Sequence, residues 1–202
     1  MICECCGHEI SDIAVFCPHC ATQVEGALEC TDYIYEAFIS YRHQDADRAV
    51  AKRLQRYLEG FRIPRQLATG RTDKRLGKLF RDEDELPTSS SLTAQIEHAL
   101  SHSRYLIVVC SPQSLGSQWV QREVELFCML HGRNRVFLAL VSGEPEDSFP
   151  PLLLHRVNVA PDGTQAMVDV EPLAADFRQD SGKTFKAEAA RIAAGLIGCG
   201  CC

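Results

Sequence analysis

A chain of 202 residues can bury one full core with something small attached. Its composition, 46% hydrophobic and 24% charged, is that of a globular protein, and its net charge of −6 disfavours a general nucleic-acid binder, whose phosphate contacts come mainly from Lys and Arg. No run approaches the roughly 18 apolar residues of a membrane helix. The opening MICECCGHEI also lacks the basic and apolar stretches of a secretory signal, so a cytoplasmic protein with no membrane partner is expected.

The chain opens on metal chemistry. Cys3, Cys5, Cys6, Cys17 and Cys20 crowd the first twenty residues, while Cys199, Cys201 and Cys202 end the chain and Cys30, Cys110 and Cys128 are scattered. In a cytoplasmic protein clustered pairs point to metal before disulfides. Cys3-x-x-Cys6 and Cys17-x-x-Cys20 are separated by ten residues. Two thiolates two residues apart fit one tight turn, and two such turns face to face make a tetrahedral four-sulfur site for Zn2+. Gly7 suits the turn after the first pair, and Ala21 holds the matching place after the second. Cys5, His8 and His19 could compete as ligands, but the paired spacing favours Cys3, Cys6, Cys17 and Cys20. The stretch resembles the short zinc ribbons at the start of many bacterial proteins, over residues 1–24. Four thiolates leave no open coordination position, so the zinc is expected to be structural. With no Lys or Arg in residues 1–41, the ribbon is read as a protein-contact module rather than a nucleic-acid reader.

Residues 25–32 read as a linker. Ile34 to Ile39 is a short β-prone run that ends in Ser40-Tyr41-Arg42. Residues 45–59 read as a helix, with Val50, Leu54 and Leu58 four apart and Asp45 or Asp47 available as cap. Residues 61–81 are irregular and carry seven Lys or Arg against one acid, Asp73, with a short strand expected at 78–80. The acidic run Asp82-Glu-Asp-Glu85 follows at once. A helix is expected at 91–101 and another at 117–131. The continuous apolar runs 105–110 and 136–141 have the character of parallel strands covered on both faces. A Pro-rich loop at 145–151, a weak strand near 166–170 and a helix at 183–197 complete the pattern.

Strand and helix alternate, which implies a doubly wound α/β sheet with helices on both faces. Ligands of such sheets bind outside the carboxyl ends of the strands. Three polar clusters fall there: Ser40-Tyr41-Arg42, Arg81-Asp82 and Ser111-Pro112.

From Tyr35 onward the sequence resembles a TIR domain. The residues that carry the likeness are Phe38-Ile-Ser-Tyr-Arg42, Leu79-Phe-Arg-Asp82, Val108-Val-Cys-Ser-Pro112 and Trp119-Val-Gln-Arg-Glu123, in that order. The sequence departs from the family in its longer basic stretch at 61–78 and in a Thr-Ser-Ser-Ser where the acidic loop commonly has a Gly. The resemblance implies a flavodoxin-like parallel sheet over residues 33–198. Some TIR domains are adaptors that only associate with other TIR domains; others cleave NAD+ at the nicotinamide–ribose bond, using a glutamate at the place of Glu123. The resemblance therefore implies Glu123 as the catalytic carboxylate, and Phe38, Tyr41, Arg42, Asp82, Ser111 and Trp119 around the dinucleotide. Helix spacing adds that Trp119 and Glu123, four apart, share a face.

Overall fold

Strand and helix alternate from residue 35 onward in a computed structural model that describes residues 1–27, 32–67, 74–81 and 91–198. The first unit is β1 (Tyr35–Ser40), α1 (Asp45–Gly60) and β2 (Leu79–Arg81). Gln44 occupies the cap of α1, so Asp45 and Asp47 lie in its first turn, where a negative charge suits the helix dipole. Next come α2 (Ser91–Ser101), β3 (Ser103–Cys110) and the single turn α3 (Pro112–Leu115). Then follow α4 (Gln118–His131) and β4 (Val136–Leu140).

The Pro-rich stretch holds two short helices, α5 (Pro145–Ser148) and α6 (Pro151–Leu154). A hairpin of β5 (His155–Val159) and β6 (Gln165–Asp169) precedes β7 (Ala174–Asp176) and the last helix, α7 (Phe185–Ile197). The segment near 166–170 is therefore a strand, but not of the main sheet: it pairs antiparallel with β5. The fifth parallel strand is β7, three residues of small and acidic side chains that carry no apolar run to announce them.

The main sheet is parallel throughout, in the order β2-β1-β3-β4-β7, a doubly wound α/β arrangement. Period-two alternation along β1 divides its side chains between two cores. Ala37, Ile39 and Tyr41 join Leu54 and Leu58 of α1 and Ala193 and Leu196 of α7 on one face. Phe38 joins Leu100 of α2 and Val124 and Phe127 of α4 on the other. Full burial of a side chain such as Leu or Phe is worth about 1.5–3 kcal/mol, so each face is held by a layer of such contacts.

The N-terminal residues that carry the paired cysteines are docked on this scaffold. The backbone amides of Val15 and Phe16 both donate to the Met129 carbonyl at 2.8 Å. The Val157 amide donates to the His19 carbonyl at 2.9 Å, and Gln165 Nε2 to the Cys6 carbonyl at 2.9 Å. A third small core combines Cys3, Cys6, Ile10, Ala14 and Cys17 with Val157, and Met129 and Val159 pack against it. Among the described residues no helix is long and apolar enough to cross a membrane.

Candidate functional site

Glu123 sits in the second turn of α4, on the face turned to the sheet, and is 6% exposed. A buried carboxylate needs donors, because leaving it without them costs several kcal/mol (roughly 1–3 even for a neutral polar group). The Ser40 hydroxyl, at the carboxyl end of β1, donates to Glu123 Oε2 at 2.5 Å. One turn earlier on α4, Trp119 is 54% exposed. Trp119 and Glu123 line a crevice of about 10 Å³ with Ile96, Arg122 and Leu126. That is far below the roughly 300 Å³ at which ligand pockets begin.

The other expected pocket residues distribute by the same alternation. Phe38 projects to the α4 side like Ser40, but it is fully buried and stacked on Phe80 at 5.2 Å, so it fills the core beneath the carboxylate and offers no surface to a ligand. Tyr41 turns to the α1 side, where its hydroxyl accepts from Arg81 Nη1 at 3.1 Å. Arg42 and Ser111 both stand at the carboxyl edge of the sheet, Arg42 just after β1 and Ser111 just after β3. Arg42 Nη1 donates to the Gln113 carbonyl at 3.0 Å, and Ser111 caps α3 by accepting from the Ser114 amide. Asp82 lies outside the described residues.

Two polar residues absent from the expected site hold it together. Ser40 stands in the noted cluster at the end of β1, and the signal for its role is its place two residues after Phe38, on the same face. Asp47 reads as a helix cap in the sequence. In the fold it is 3% exposed, and its Oδ2 accepts from the Ser111 hydroxyl at 3.2 Å. Burial pushes the Asp47 carboxyl above its ordinary range, while the Ser111 bond and the positive charge of Arg42 pull it back in part. Asp47 thus links the loop after β1 to the loop after β3.

A second candidate site stands at the N-terminus. The sulfurs of Cys3, Cys6, Cys17 and Cys20 all lie within 4.8 Å of one another, with Cys3–Cys20 at 3.7 Å and Cys6–Cys17 at 3.6 Å. A tetrahedral thiolate centre with metal–sulfur bonds of about 2.3 Å has edges of about 3.8 Å, so the four sulfurs fit a metal. The two turns are matched: Gly7 donates to the Cys3 carbonyl and Ala21 to the Cys17 carbonyl, each at 2.9 Å, with φ of +70° and +63°. Burial works against a thiolate at Cys3, but the amides of Cys6 and Cys5 and the thiols of Cys17 and Cys6 outweigh it and bring the thiol down to about 7, while at Cys6 burial and the three neighbouring sulfurs push the thiol up. Thiolate is the form that binds metal. His8 and His19 stack on each other at 4.3 Å and stand outside the four-sulfur group.

With this geometry in place, the match to known families is specific. A family model described as a TIR domain matches residues 37–187. The chain belongs to the TIR-domain family. The TIR domain here is similar to an NAD(+) hydrolase, ApTIR, of Actinoplanes sp., with 30% identity over 174 residues. That alignment covers 81% of this chain and 23% of the relative, so the chain spans about a quarter of the length of the protein it resembles. Among solved structures, a metazoan TIR-STING receptor from C. gigas in complex with 2′,3′-cGAMP superposes with a TM-score of 0.50 at 20% identity, over 84% of this chain and 41% of that one. The TIR domains of the activated Roq1 resistosome superpose with a TM-score of 0.41 at 22% identity, over 55% of this chain and 60% of that one. The likeness to the TIR-STING receptor concerns the fold alone.

The buried Asp47 makes a pH-dependent prediction. Its folded pKa lies above the ordinary aspartate range, so the protonated form is favoured in the fold and ionisation costs stability as pH rises through the folded pKa. Asp47→Asn is therefore expected to raise the melting temperature at pH 7, by about 2–4 °C for each kcal/mol recovered. The advantage should vanish as pH falls to the ordinary aspartate range. Thermal melts of both proteins at pH 7 and at about pH 4 check this; a variant that melts lower at pH 7 would refute it.

Proposed function

We propose that this TIR domain cleaves NAD+ at the nicotinamide–ribose bond, with Glu123 as the catalytic carboxylate and Trp119 as the flat platform beside it. The observation that supports the reading is the single buried carboxylate of α4, held by Ser40 at the carboxyl edge of the sheet one turn from an exposed tryptophan. Nicotinamide in NAD+ is a cationic leaving group that departs neutral, so no general acid is needed. Positive charge develops on the ribose as an oxocarbenium ion, and a fixed carboxylate below the sugar stabilises it and accepts its hydroxyls. Water then bonds to the anomeric carbon and loses a proton, giving ADP-ribose, or an internal nucleophile closes a cyclic product. Arg42 and Ser111, the one bonded to the Gln113 carbonyl and the other to Asp47, stand at the same edge to meet the rest of the dinucleotide. Asp82 belongs to this set by the family resemblance. The similarity to an NAD(+) hydrolase over 174 residues supports the same reaction.

The narrowness of the crevice supports a requirement for assembly. About 10 Å³ beside Glu123 admits no dinucleotide, so a further wall or a movement has to complete the pocket. Other TIR domains of the same kind are the natural partner. Arg62, Arg65, Lys74 and Arg75 are all exposed, and an isolated bridge sets Arg62 beside Arg75. Among the described residues these four cations have no carboxylate partner within ion-pair distance. A basic face next to the acidic run 82–85 in sequence suits head-to-tail association, which is heterologous and open-ended. The same narrowness favours a second reading, a non-catalytic adaptor that acts by TIR–TIR association alone.

We assign the four-cysteine cluster to a structural Zn2+ held by Cys3, Cys6, Cys17 and Cys20. None of the seven described cysteines is in a disulfide, which leaves these four thiols available to a metal; for the NAD+ activity we propose a place in bacterial defence or stress signalling in the cytoplasm.

Nicotinamide release from purified protein separates enzyme from adaptor. Glu123→Gln, which keeps size but removes charge, is expected to lower the rate by about 100–1000-fold. Ser40→Ala, which removes a hydrogen bond to a charged group, should lower it by about tenfold or more. A Gln variant that keeps more than about a tenth of the wild-type rate displaces Glu123 from its role, and a silent wild type at all concentrations supports the adaptor. Activity per molecule should rise with protein concentration and fall with added salt. Charge reversal at Arg71, Lys74 and Arg75 should abolish that concentration dependence, and a flat profile indifferent to salt would exclude the proposed contact. Elemental analysis of protein purified without chelators should find about one zinc per chain, and less than about half an equivalent would overturn the zinc assignment.

A further inference from the structure

We infer that the N-terminal ribbon is a positioning part of the catalytic domain: it caps the carboxyl end of α4 and so fixes where Trp119 and Glu123 stand on that helix. The consequence for turnover rests on the role given to Glu123 above; the docking itself does not.

A helix leaves its last carbonyls without partners inside the helix. At the end of α4 the Cys128 carbonyl accepts from the Gly132 amide at 3.0 Å, and the next carbonyl, that of Met129, takes two donors from the ribbon, Val15 and Phe16. The chain then leaves the helix at Gly132 with φ of +79°, a conformation that favours glycine. The Phe16 ring packs on that residue: a Cβ built at Gly132 would stand 3.5 Å from the ring. Met129 also turns its side chain into the apolar core of the ribbon. Backbone bonds, an aromatic ring and a core side chain therefore all tie the ribbon to one helix end.

The other half of the coupling is the stiffness of α4. Met129 is six residues beyond Glu123, about 9 Å along a helix rising 1.5 Å per residue. The packing of Val120, Val124 and Phe127 presses the helix onto the sheet, while the ribbon contacts fix its end along the axis. The 2.5 Å bond from Ser40 to Glu123 leaves little room for sliding. A displacement of about 1 Å in a reacting group can cost as much as a hundredfold in rate.

The ribbon in turn depends on its cysteines. Val15 and Phe16 directly precede Cys17, whose amide and carbonyl close the second turn with Thr22 and Ala21. A segment of this size has too little core to fold without a metal or a partner surface. Loss of the metal is thus transmitted to Phe16, to Met129 and along α4. Cys17, Phe16 and Met129 form the chain of contacts.

The full-length protein offers a probe that does not need turnover. Trp119 is the only tryptophan in the chain, and it lies on α4 one turn from Glu123. Wild type, the same protein stripped with a zinc chelator, Phe16→Ala and the conservative Phe16→Leu are compared by Trp119 emission, by amide exchange at 126–132 and in β3, and by kcat and KM for NAD+. Stripping and Phe16→Ala should both shift Trp119 emission and speed exchange at 126–132 by about tenfold, leaving β3 unchanged, as befits local rather than global opening. They should lower kcat by about tenfold with KM within about twofold, as expected for a misplaced group rather than lost binding. Phe16→Leu should restore most of each effect. Unchanged emission and unchanged exchange at 126–132 after metal removal would overturn the inference, as would faster exchange with kcat intact. If wild type releases no nicotinamide, the NAD+ reading falls, while emission and exchange still decide whether the ribbon holds α4.

Discussion

The hydrogen bond between Ser40 and Glu123 spans 83 residues of sequence and joins the carboxyl end of a strand to the buried face of a helix. It exists only because β1 keeps its register. With Ala37 opposite Leu79 and Tyr105, and Phe38 opposite Phe80 and Leu106, Ala37 and Ile39 face α1 while Phe38 and Ser40 face α4. A slip by one residue would send Ile39 or Tyr41 towards Glu123 and take the hydroxyl away from a charge in a low-dielectric layer. The apolar layers on both faces oppose such a slip, since it would turn Phe38 and Ile39 into the wrong core. Core packing and the geometry of the carboxylate are therefore one constraint.

Much of this was legible before any coordinates. The runs 105–110 and 136–141 are apolar without interruption because parallel strands are covered twice, and both are strands of the sheet. The helices at 45–60, 91–101 and 118–131 follow their apolar spacing to within a residue or two. The paired cysteines announce their meeting because ligand spacing is a local property. What stayed hidden depends on tertiary context. β7 is three residues long and follows Pro172, so nothing periodic marks it, and the hairpin before it has mostly exposed side chains. Asp47 and Ser40 look like a helix cap and a strand end until the fold sets one beside Ser111 and the other beside Glu123. Phe38 and Tyr41 share a motif in sequence, yet alternation places them on opposite faces.

The N-terminal cysteine segment shows a related economy. Its turns are close copies, down to the positive φ at Gly7 and at Ala21, the one non-glycine described residue in that region. An alanine there carries about 1–2 kcal/mol of strain relative to an ordinary conformation, which the surrounding sulfurs and amides have to offset. The sulfur cluster is also part of a hydrophobic core whose other wall, Met129, Val157 and Val159, belongs to the TIR domain. Each partner supplies what the other lacks: Met129, Val157 and Val159 complete the small core of the N-terminal segment, and Val15 and Phe16 give the Met129 carbonyl its donors.

The two outer strands of the sheet, Leu79–Arg81 and Ala174–Asp176, are each only three residues long. Long bare edges invite strand-by-strand recruitment of further chains into fibrillar sheets, and very short ones remove the template. At these two edges of the main sheet the protein thus offers little template for continuous cross-β growth, and copies that gather there are left to meet through loops and helices.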